Sequence, residues 1–239
     1  MEDKVIITID GPAGAGKSTV AARLAEKLQI AYLDTGAMYR AVTLAALEKA
    51  IPLDDQAALT EMVRQCQVEL TWQFGQTRVR LDGREVTEAI REPKVTDQAH
   101  KLARLPGVRQ QLVARQQRIA EQVGSLVTEG RDQGTVVFPE AKFKFYLDAT
   151  PQCRARRRWE QLQQQKKRQT QEARGEDPSR REEDDISYEQ ILAAQQLRDR
   201  RDATRQAGPL KAPADAIVID TTGMSVDQVV ESLARKIIG

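Results

Sequence analysis

Residues Gly11-Pro12-Ala13-Gly14-Ala15-Gly16-Lys17-Ser18-Thr19 lie between a short apolar run and an amphipathic one. From Gly11 to Ser18 they fit G-x-x-x-x-G-K-[S/T] at every fixed position. A phosphate bound by backbone needs several N–H groups converging on it, and side chains would obstruct that approach. Glycines permit the turn, and a helix starting at Ser18 aims its positive dipole end at the anion. Lys17 adds a mobile charge near the β- and γ-phosphates, and the Ser18 hydroxyl suits Mg²⁺. The chemistry implied is nucleoside triphosphate binding; the bland alternative is an ordinary glycine turn. The loop does not name a reaction. GTPases and motor ATPases hold Mg²⁺ with an aspartate ending a later apolar strand. Leu126–Glu129 ends in Glu-Gly-Arg-Asp, which is not that pattern, and N-K-x-D base motifs are absent. A small-molecule kinase fits better.

A kinase for a nucleoside monophosphate must hold two polyanions close together. Arginines suit this because each forks onto phosphate oxygens and stays charged, and they neutralise charge developing during transfer. Arg40, Arg109, Arg131 and Arg205 all stand beside loop signals. A lone arginine is usually a solvated charge, but Arg131 follows a buried-looking strand, where ligands gather in open α/β sheets.

The elements that must position these residues are short. Val5–Asp10, Ala31–Leu33, Leu126–Glu129, Phe143–Leu147 and Ala216–Asp220 are apolar runs separated by helical segments such as Ser18–Leu28 and Met38–Lys49. The economical fold is α/β: a five-stranded parallel sheet flanked by helices. Gln67–Trp72 and Thr77–Leu81 alternate like strands, with an Asp82-Gly83 turn before Arg84–Thr87, so 58–98 reads as a β-rich insert. Residues 151–205 carry 14 Lys/Arg and 11 Asp/Glu. They read as two helices broken at Gly175 and Pro178, with Ser187 and Gln190 as a capping box for the second.

Composition narrows the classes. Net charge is only +2 over 239 residues, so no global field drives binding to nucleic acid or membrane. Cys66 and Cys153 lack metal spacing and fit a reducing compartment. The acidic N-terminus passes straight into a strand, unlike a signal peptide, and no apolar run is long enough to span a bilayer. The expectation is a cytoplasmic monomer. The remaining alternatives are a kinase for another small acceptor, and a regulatory P-loop nucleotide- or nucleic-acid-binding protein using the basic run. That run has only Trp159 and Tyr188 as aromatics, and acids nearly balance it.

The segments ITIDGPAGAGKST, YLDTGAMYRAVTLAAL, EAIREPKV, LPGVRQQLVARQQ, VTEGRDQGTVVFPEAKFKFYLDAT, RARRRWEQL, RDRRDATRQAGPL and ADAIVIDTTGMSVDQVV run from Ile7 to Val230. In this order they resemble the bacterial-type cytidylate kinases, P-loop nucleoside monophosphate (NMP) kinases. The resemblance implies the P-loop NMP-kinase fold, with core 1–57, 99–150 and 207–239, a β-rich NMP-binding insert at 58–98 and an arginine-rich helical lid at 151–206. It implies transfer of a phosphate from ATP, with Mg²⁺, to CMP or dCMP. Arg40, Arg131 and Arg205 would hold the CMP phosphate, Arg109 and Asp132 the cytosine edge, and Asp202 and Arg198 the sugar. Thr35 and Tyr39 would line the acceptor pocket. Arg154, Arg157 and Arg158 would be lid residues near the ATP phosphates. Cytosine offers an N4 donor and N3/O2 acceptors, complementary to a carboxylate and a guanidinium; uracil reverses the first two. Two departures stand out. Where relatives carry a small hydroxyl residue, nine residues before Arg109, this chain has its single histidine, His100. A neutral imidazole there could accept the N4 hydrogen bond or point to solvent. The lid stretch 163–181 is also longer and more polar. No general base is evident: Asp34 or Asp132 is conceivable, but the acceptor phosphate is already anionic and positioning can suffice.

Overall fold

The computed structural model describes residues 4–73, 76–172 and 186–239. The helix-breaking Gly175 and Pro178 lie outside them. Strand β1 (Ile6–Asp10) runs into the glycine loop, helix α1 (Lys17–Leu28) and β2 (Ala31–Asp34). Next come α2 (Thr35–Glu48), α3 (Gln56–Gln65), β3 (Val68–Gln73), β4 (Gln76–Leu81) and β5 (Arg84–Glu85). Two single-turn helices, α4 (Pro93–Thr96) and α5 (Ala99–Leu102), lead to α6 (Pro106–Val123), β6 (Leu126–Gly130) and β7 (Phe143–Asp148). The chain ends with α7 (Pro151–Glu172), α8 (Tyr188–Thr204), β8 (Ile217–Asp220) and α9 (Val226–Ile238).

The main sheet is five-stranded and parallel, in the order β2-β6-β1-β7-β8. The inner strands are buried on both faces, while the edge strand β8 is largely exposed; alternation assigns the buried side chains to two cores. Ile7, Ile9, Val127, Phe145 and Leu147 pack with Val20 and Leu24 of α1 and Val229 and Leu233 of α9. Leu33 and Leu126 face the other way, onto Met38 and Ala41 of α2 and Leu112 of α6. This second core also takes Val79, Leu81, Val86 and Ile90 from the insert.

Alternation has a further consequence. Thr8 and Asp10 share the face opposite Ile7 and Ile9, and Thr128 lies beside Thr8 across the β1–β6 register. Glu129 pairs with Ile9 in that register and so shares the α1 face. Both placements matter for the site.

The expected strands and turn chemistry are present, with differences that have local causes. Helix α2 starts at Thr35, not Met38, because the Asp34 carboxylate accepts the Ala37 N–H at 2.8 Å as an N-cap. Asp82 and Gly83 have φ of 50° and 79°, as a two-residue hairpin turn requires. The strand expected at Arg84–Thr87 stops at Glu85: the Val86 N–H still reaches the Val79 carbonyl at 2.8 Å, but the Val79 N–H donates to the Thr87 side chain at 2.9 Å in place of a backbone carbonyl. Helix α3 occupies the start of the stretch read as β-rich and crosses residue 58; its Leu59 and Val63 are fully buried in the α2–α6 core. The insert's Trp72 lies edge-to-face on Tyr32 of β2, centroids 4.8 Å apart at 80°. Ser187 and Gln190 form the expected reciprocal capping box at the start of α8. Among the described residues no helix is long and apolar enough to cross a membrane.

Candidate active site

The glycine loop leaves the carboxyl end of β1 and turns at Gly14 and Gly16, with φ of 80° and 88°. Gly11 is the most constrained position: a Cβ there would stand 2.0 Å from the Leu147 carbonyl of β7. Lys17 opens α1 and is 5% exposed. Its ammonium donates to the Pro12 carbonyl at 2.8 Å, across its own loop. Burial pulls its pKa below the usual lysine range, and Arg131 adds to this while Glu129 opposes it. The Ser18 hydroxyl donates to Glu129 Oε1 at 2.9 Å. The sequence pattern at 126–129 does not suggest this carboxylate, because it expects an aspartate. Strand parity places it on the α1 face, which is the signal that could have found it.

Beside the loop lies a cavity of about 260 Å³. Thr35, Tyr39, Arg40, His100, Arg109, Arg131, Asp132, Arg198, Asp202 and Arg205 all line it, as do Lys17, Ser18 and Glu129. Every residue expected to serve the acceptor therefore faces one space, although they come from α2, α5, α6, the loop after β6, and α8. A larger cavity of about 940 Å³ adjoins it. Ala13–Gly16, Thr19, Arg157 and Arg158 line this one, together with the apolar Val20, Ile191, Met224 and Val229.

The polar side chains of the smaller cavity are organised in pairs. Arg109 and Asp132 form an ion pair with both side chains 6% exposed, and Arg109 also donates to the Tyr39 hydroxyl at 3.3 Å. Arg205, just past the end of α8, approaches the other Asp132 oxygen at 3.6 Å and donates to the Gly208 carbonyl. Arg131 Nε donates to Asp202 at 2.9 Å. Burial alone would raise the Asp202 pKa; Arg131, Arg198 and Arg205 instead hold it below the usual carboxylate value. Arg40 pairs with Asp34 at 3.3 Å, and the Thr35 hydroxyl donates to the Glu129 carbonyl at 2.7 Å. Gly208 covers the Arg109–Asp132 pair so closely that a Cβ would lie 2.0 Å from Asp132 Oδ2.

His100 donates from Nδ1 to the Asp97 carbonyl at 2.7 Å, which leaves Nε2 as the acceptor of the neutral ring. Burial lowers its pKa against the pull of the Asp97 carbonyl, and Arg104, Arg201 and Arg198 add to the lowering, which favours the neutral ring.

The three arginines expected to belong to a lid have separate environments. Arg154 is 4% exposed and turned inward: it donates to the carbonyls of Ala149 at 3.0 Å and Ala13 at 2.9 Å, and pairs with Asp199 at 2.7 Å. It fastens α7 and α8 to the outside of the glycine loop. Arg157 donates to the Thr221 hydroxyl at 3.1 Å and carbonyl at 2.6 Å. Arg158 is exposed and donates to Gln161 on its own helix at 2.9 Å.

After Arg131 and Asp132 the chain makes a π-helical turn, Gln133–Val137, in which the Phe138 N–H reaches the Gln133 carbonyl at 2.7 Å. Such turns are rare and concentrate at functional sites. Nothing in the local sequence indicates one.

The family model described as cytidylate kinase matches residues 7–238. The chain is 47% identical over 235 residues to a bifunctional pantoate ligase/cytidylate kinase of Synechococcus sp. (strain JA-3-3Ab); the match covers 96% of this chain and 40% of that protein. It is 46% identical over 231 residues to the cytidylate kinase of Rhodopirellula baltica, covering 97% of this chain and 91% of that one. The chain thus spans about two fifths of the bifunctional relative and nearly all of the other. Among solved structures, an uncharacterized protein from Eubacterium ventriosum aligns over 99% of both chains with a TM-score of 0.50 and 13% identity, a likeness of fold alone. With its family model covering nearly every residue, on a parallel sheet that carries the phosphate loop, this chain belongs to the cytidylate kinase family.

Proposed function

We propose that the chain transfers the γ-phosphoryl group of ATP to CMP or dCMP, giving ADP and CDP or dCDP. The observation that carries this reading is the small cavity. It opens onto Lys17 and collects four guanidiniums and a buried Arg109–Asp132 pair from widely separated parts of the chain. In the reaction an oxygen of the CMP phosphate attacks the γ-phosphorus, and the bond to the β–γ bridging oxygen breaks. Lys17 and the Gly11–Gly16 backbone hold the donor phosphates, and Arg40, Arg131 and Arg205 hold the acceptor phosphate in line. Because those arginines keep their charge, they also neutralise what develops during transfer. Asp132 accepts from the cytosine N4 amine, and Arg109 donates to N3 and O2. Uracil would leave these buried partners mismatched. Asp202 and Arg198 face the sugar, and His100 Nε2 offers a further acceptor towards the base.

Mg²⁺ fits the residues present. The Ser18 hydroxyl and Glu129 carboxylate are hard oxygen donors that line the cavity beside Lys17. Among the described residues no cluster of three or more His, Cys, Asp or Glu could hold a metal, in keeping with an ion carried largely by the nucleotide. When bound, it would supply positive charge that offsets the negative charge of the phosphates.

On the same reading 58–98 is the CMP-binding insert and 151–206 the lid, both closing on the core to exclude water. Arg157 and Arg158 reach the ATP phosphates after that closure: both line the larger cavity beside the loop, but here their hydrogen bonds go to Thr221 and Gln161. The enzyme would work as a cytoplasmic monomer, which sedimentation of the purified protein checks. An ADP-release assay with CMP, dCMP, UMP and AMP tests the assignment. CMP and dCMP should give the highest kcat/KM, and preference for UMP or AMP would refute it.

A further inference from the structure

Beneath the loop that carries Arg131 and Asp132 lies a polar floor that takes no part in the chemistry described above. Asp10 is the last residue of β1, fully buried, and the residue immediately before Gly11. Its Oδ1 accepts the Gln133 N–H at 2.8 Å, and its Oδ2 accepts the Gly134 N–H at 2.7 Å. The Gln133 side chain is held as well. Its oxygen accepts from the Thr128 hydroxyl at 2.9 Å, and its amide donates to Gln116 of α6 at 3.3 Å. There is no slack at Gly134, where a Cβ would meet Thr8 Oγ1 at 2.9 Å.

A carboxylate is an expensive choice for such a place. Burial pushes the Asp10 pKa up to about 6, against the pull of the two N–H donors and Lys17. A threonine, as at the adjoining Thr8 and Thr128, would be easier to bury. What a carboxylate alone offers at this size is two equivalent acceptors for two adjacent N–H groups. Asparagine would turn an NH₂ towards one of them.

We propose that Asp10 is a positioning residue for phosphoryl transfer: by joining the start of the phosphate loop to the backbone of Gln133 and Gly134, it fixes how far Arg131 and Asp132 stand from the donor. The inference rests on the reading that these two residues face the acceptor. The linkage is as short as the chain allows. Gly11 continues directly from Asp10, and Arg131 is two residues from Gln133, so donor and acceptor loops share one anchor. An error of an ångström in such spacing can cost about 100-fold in rate.

The test is a kinetic cycle on the full chain with Asp10→Asn, Arg131→Ala and the double variant. Asp10→Asn should lower kcat/KM for CMP about 10- to 100-fold, while affinity for a non-hydrolysable ATP analogue stays within about threefold. In the double variant the losses should fall well short of their product, because Asp10 acts through the loop that Arg131 occupies. A structural role alone would give full multiplication and a comparable loss of ATP affinity, and either result overturns the proposal. Gln133→Ala, which cuts the ties to Thr128 and Gln116 but keeps the backbone N–H, should show the same sub-multiplicative coupling with a smaller loss. It carries the cycle if Asp10→Asn does not fold. A normal Arg131→Ala enzyme removes the acceptor reading and the proposal with it. A damaged Arg131→Ala beside a normal Asp10→Asn removes the proposal alone.

Discussion

The two regions proposed to hold phosphate differ in what they are made of. The donor side is one uninterrupted loop, Gly11–Ser18, whose contacts to an anion would come from backbone N–H groups and one lysine. The acceptor side is side chains only, delivered by α2, α5, α6, α8 and the turn after β6. A backbone site is intolerant at the level of a single Cβ, as the 2.0 Å approach of Leu147 O to Gly11 shows. A side-chain site is graded, because three of its guanidiniums are backed by different carboxylates: Arg40 by Asp34, Arg109 by Asp132, Arg131 by Asp202. Losing one such group leaves the others in place. Losing the loop leaves nothing to hold the donor.

That contrast can be broken or sharpened by substitution. The largest effect is expected at Lys17: Lys17→Ala should reduce kcat by about 1,000-fold or more, and a kcat near the parent value in a saturating assay would remove its role. Arg131→Ala should raise the CMP KM and lower kcat together, about 100-fold combined, since the group binds ground and transition states alike. An unchanged CMP titration would move it out of the site. Glu129→Gln should raise the Mg²⁺ concentration needed for half-maximal rate about 10-fold, because Ser18 loses an anionic partner. The CMP KM should not follow, and if it does, Glu129 belongs to the acceptor half instead.

Arg154→Met tests the fastening of α7 and α8 to the loop. It leaves Asp199 without its cation and the Ala13 carbonyl without its donor. About 3 kcal/mol of stability should be lost in denaturant unfolding, as expected for breaking a buried pair from one side. A loss below about 1 kcal/mol would show that the lid helices are held elsewhere. The smallest effect is expected at His100. His100→Ala should lower kcat/KM for CMP about threefold, one neutral hydrogen bond at a half-buried position, and leave the ATP KM alone. Loss of the CMP-over-UMP preference with this change would promote His100 to a main reader of the base.

Much of the donor side is legible in the sequence because its geometry is local. Glycines at fixed spacing, a preceding strand and a following helix fully specify a backbone nest. The acceptor arginines are legible only as candidates, each standing next to a loop signal, and only the family resemblance names them together. Arg154 shows why the type of residue is insufficient. It shares the RARRR run with Arg157 and Arg158, yet it turns inward, because α7 leaves β7 so that its first turn lies against the Ala149 and Ala13 carbonyls. Helix α3 is hidden in the sequence for a related reason. Its Leu59, Met62 and Val63 are helical in spacing, but the alternating strands that follow dominate the reading.

By itself, then, the amino-acid sequence determined what depends on neighbouring residues: the phosphate loop, the alternation that splits the sheet into two faces, the Asp82-Gly83 hairpin turn and the Ser187–Gln190 cap. Tertiary structure alone decided which distant groups meet. Strand parity and register brought Glu129 to Ser18 and Asp10 beneath Gln133 and Gly134, and α8 brought Asp202 to Arg131 and Arg205 to Asp132. These are contacts between parts of the chain 70 or more residues apart, and no local propensity encodes them. They exist because close packing of a parallel sheet with its helices leaves each of those side chains a single place to go.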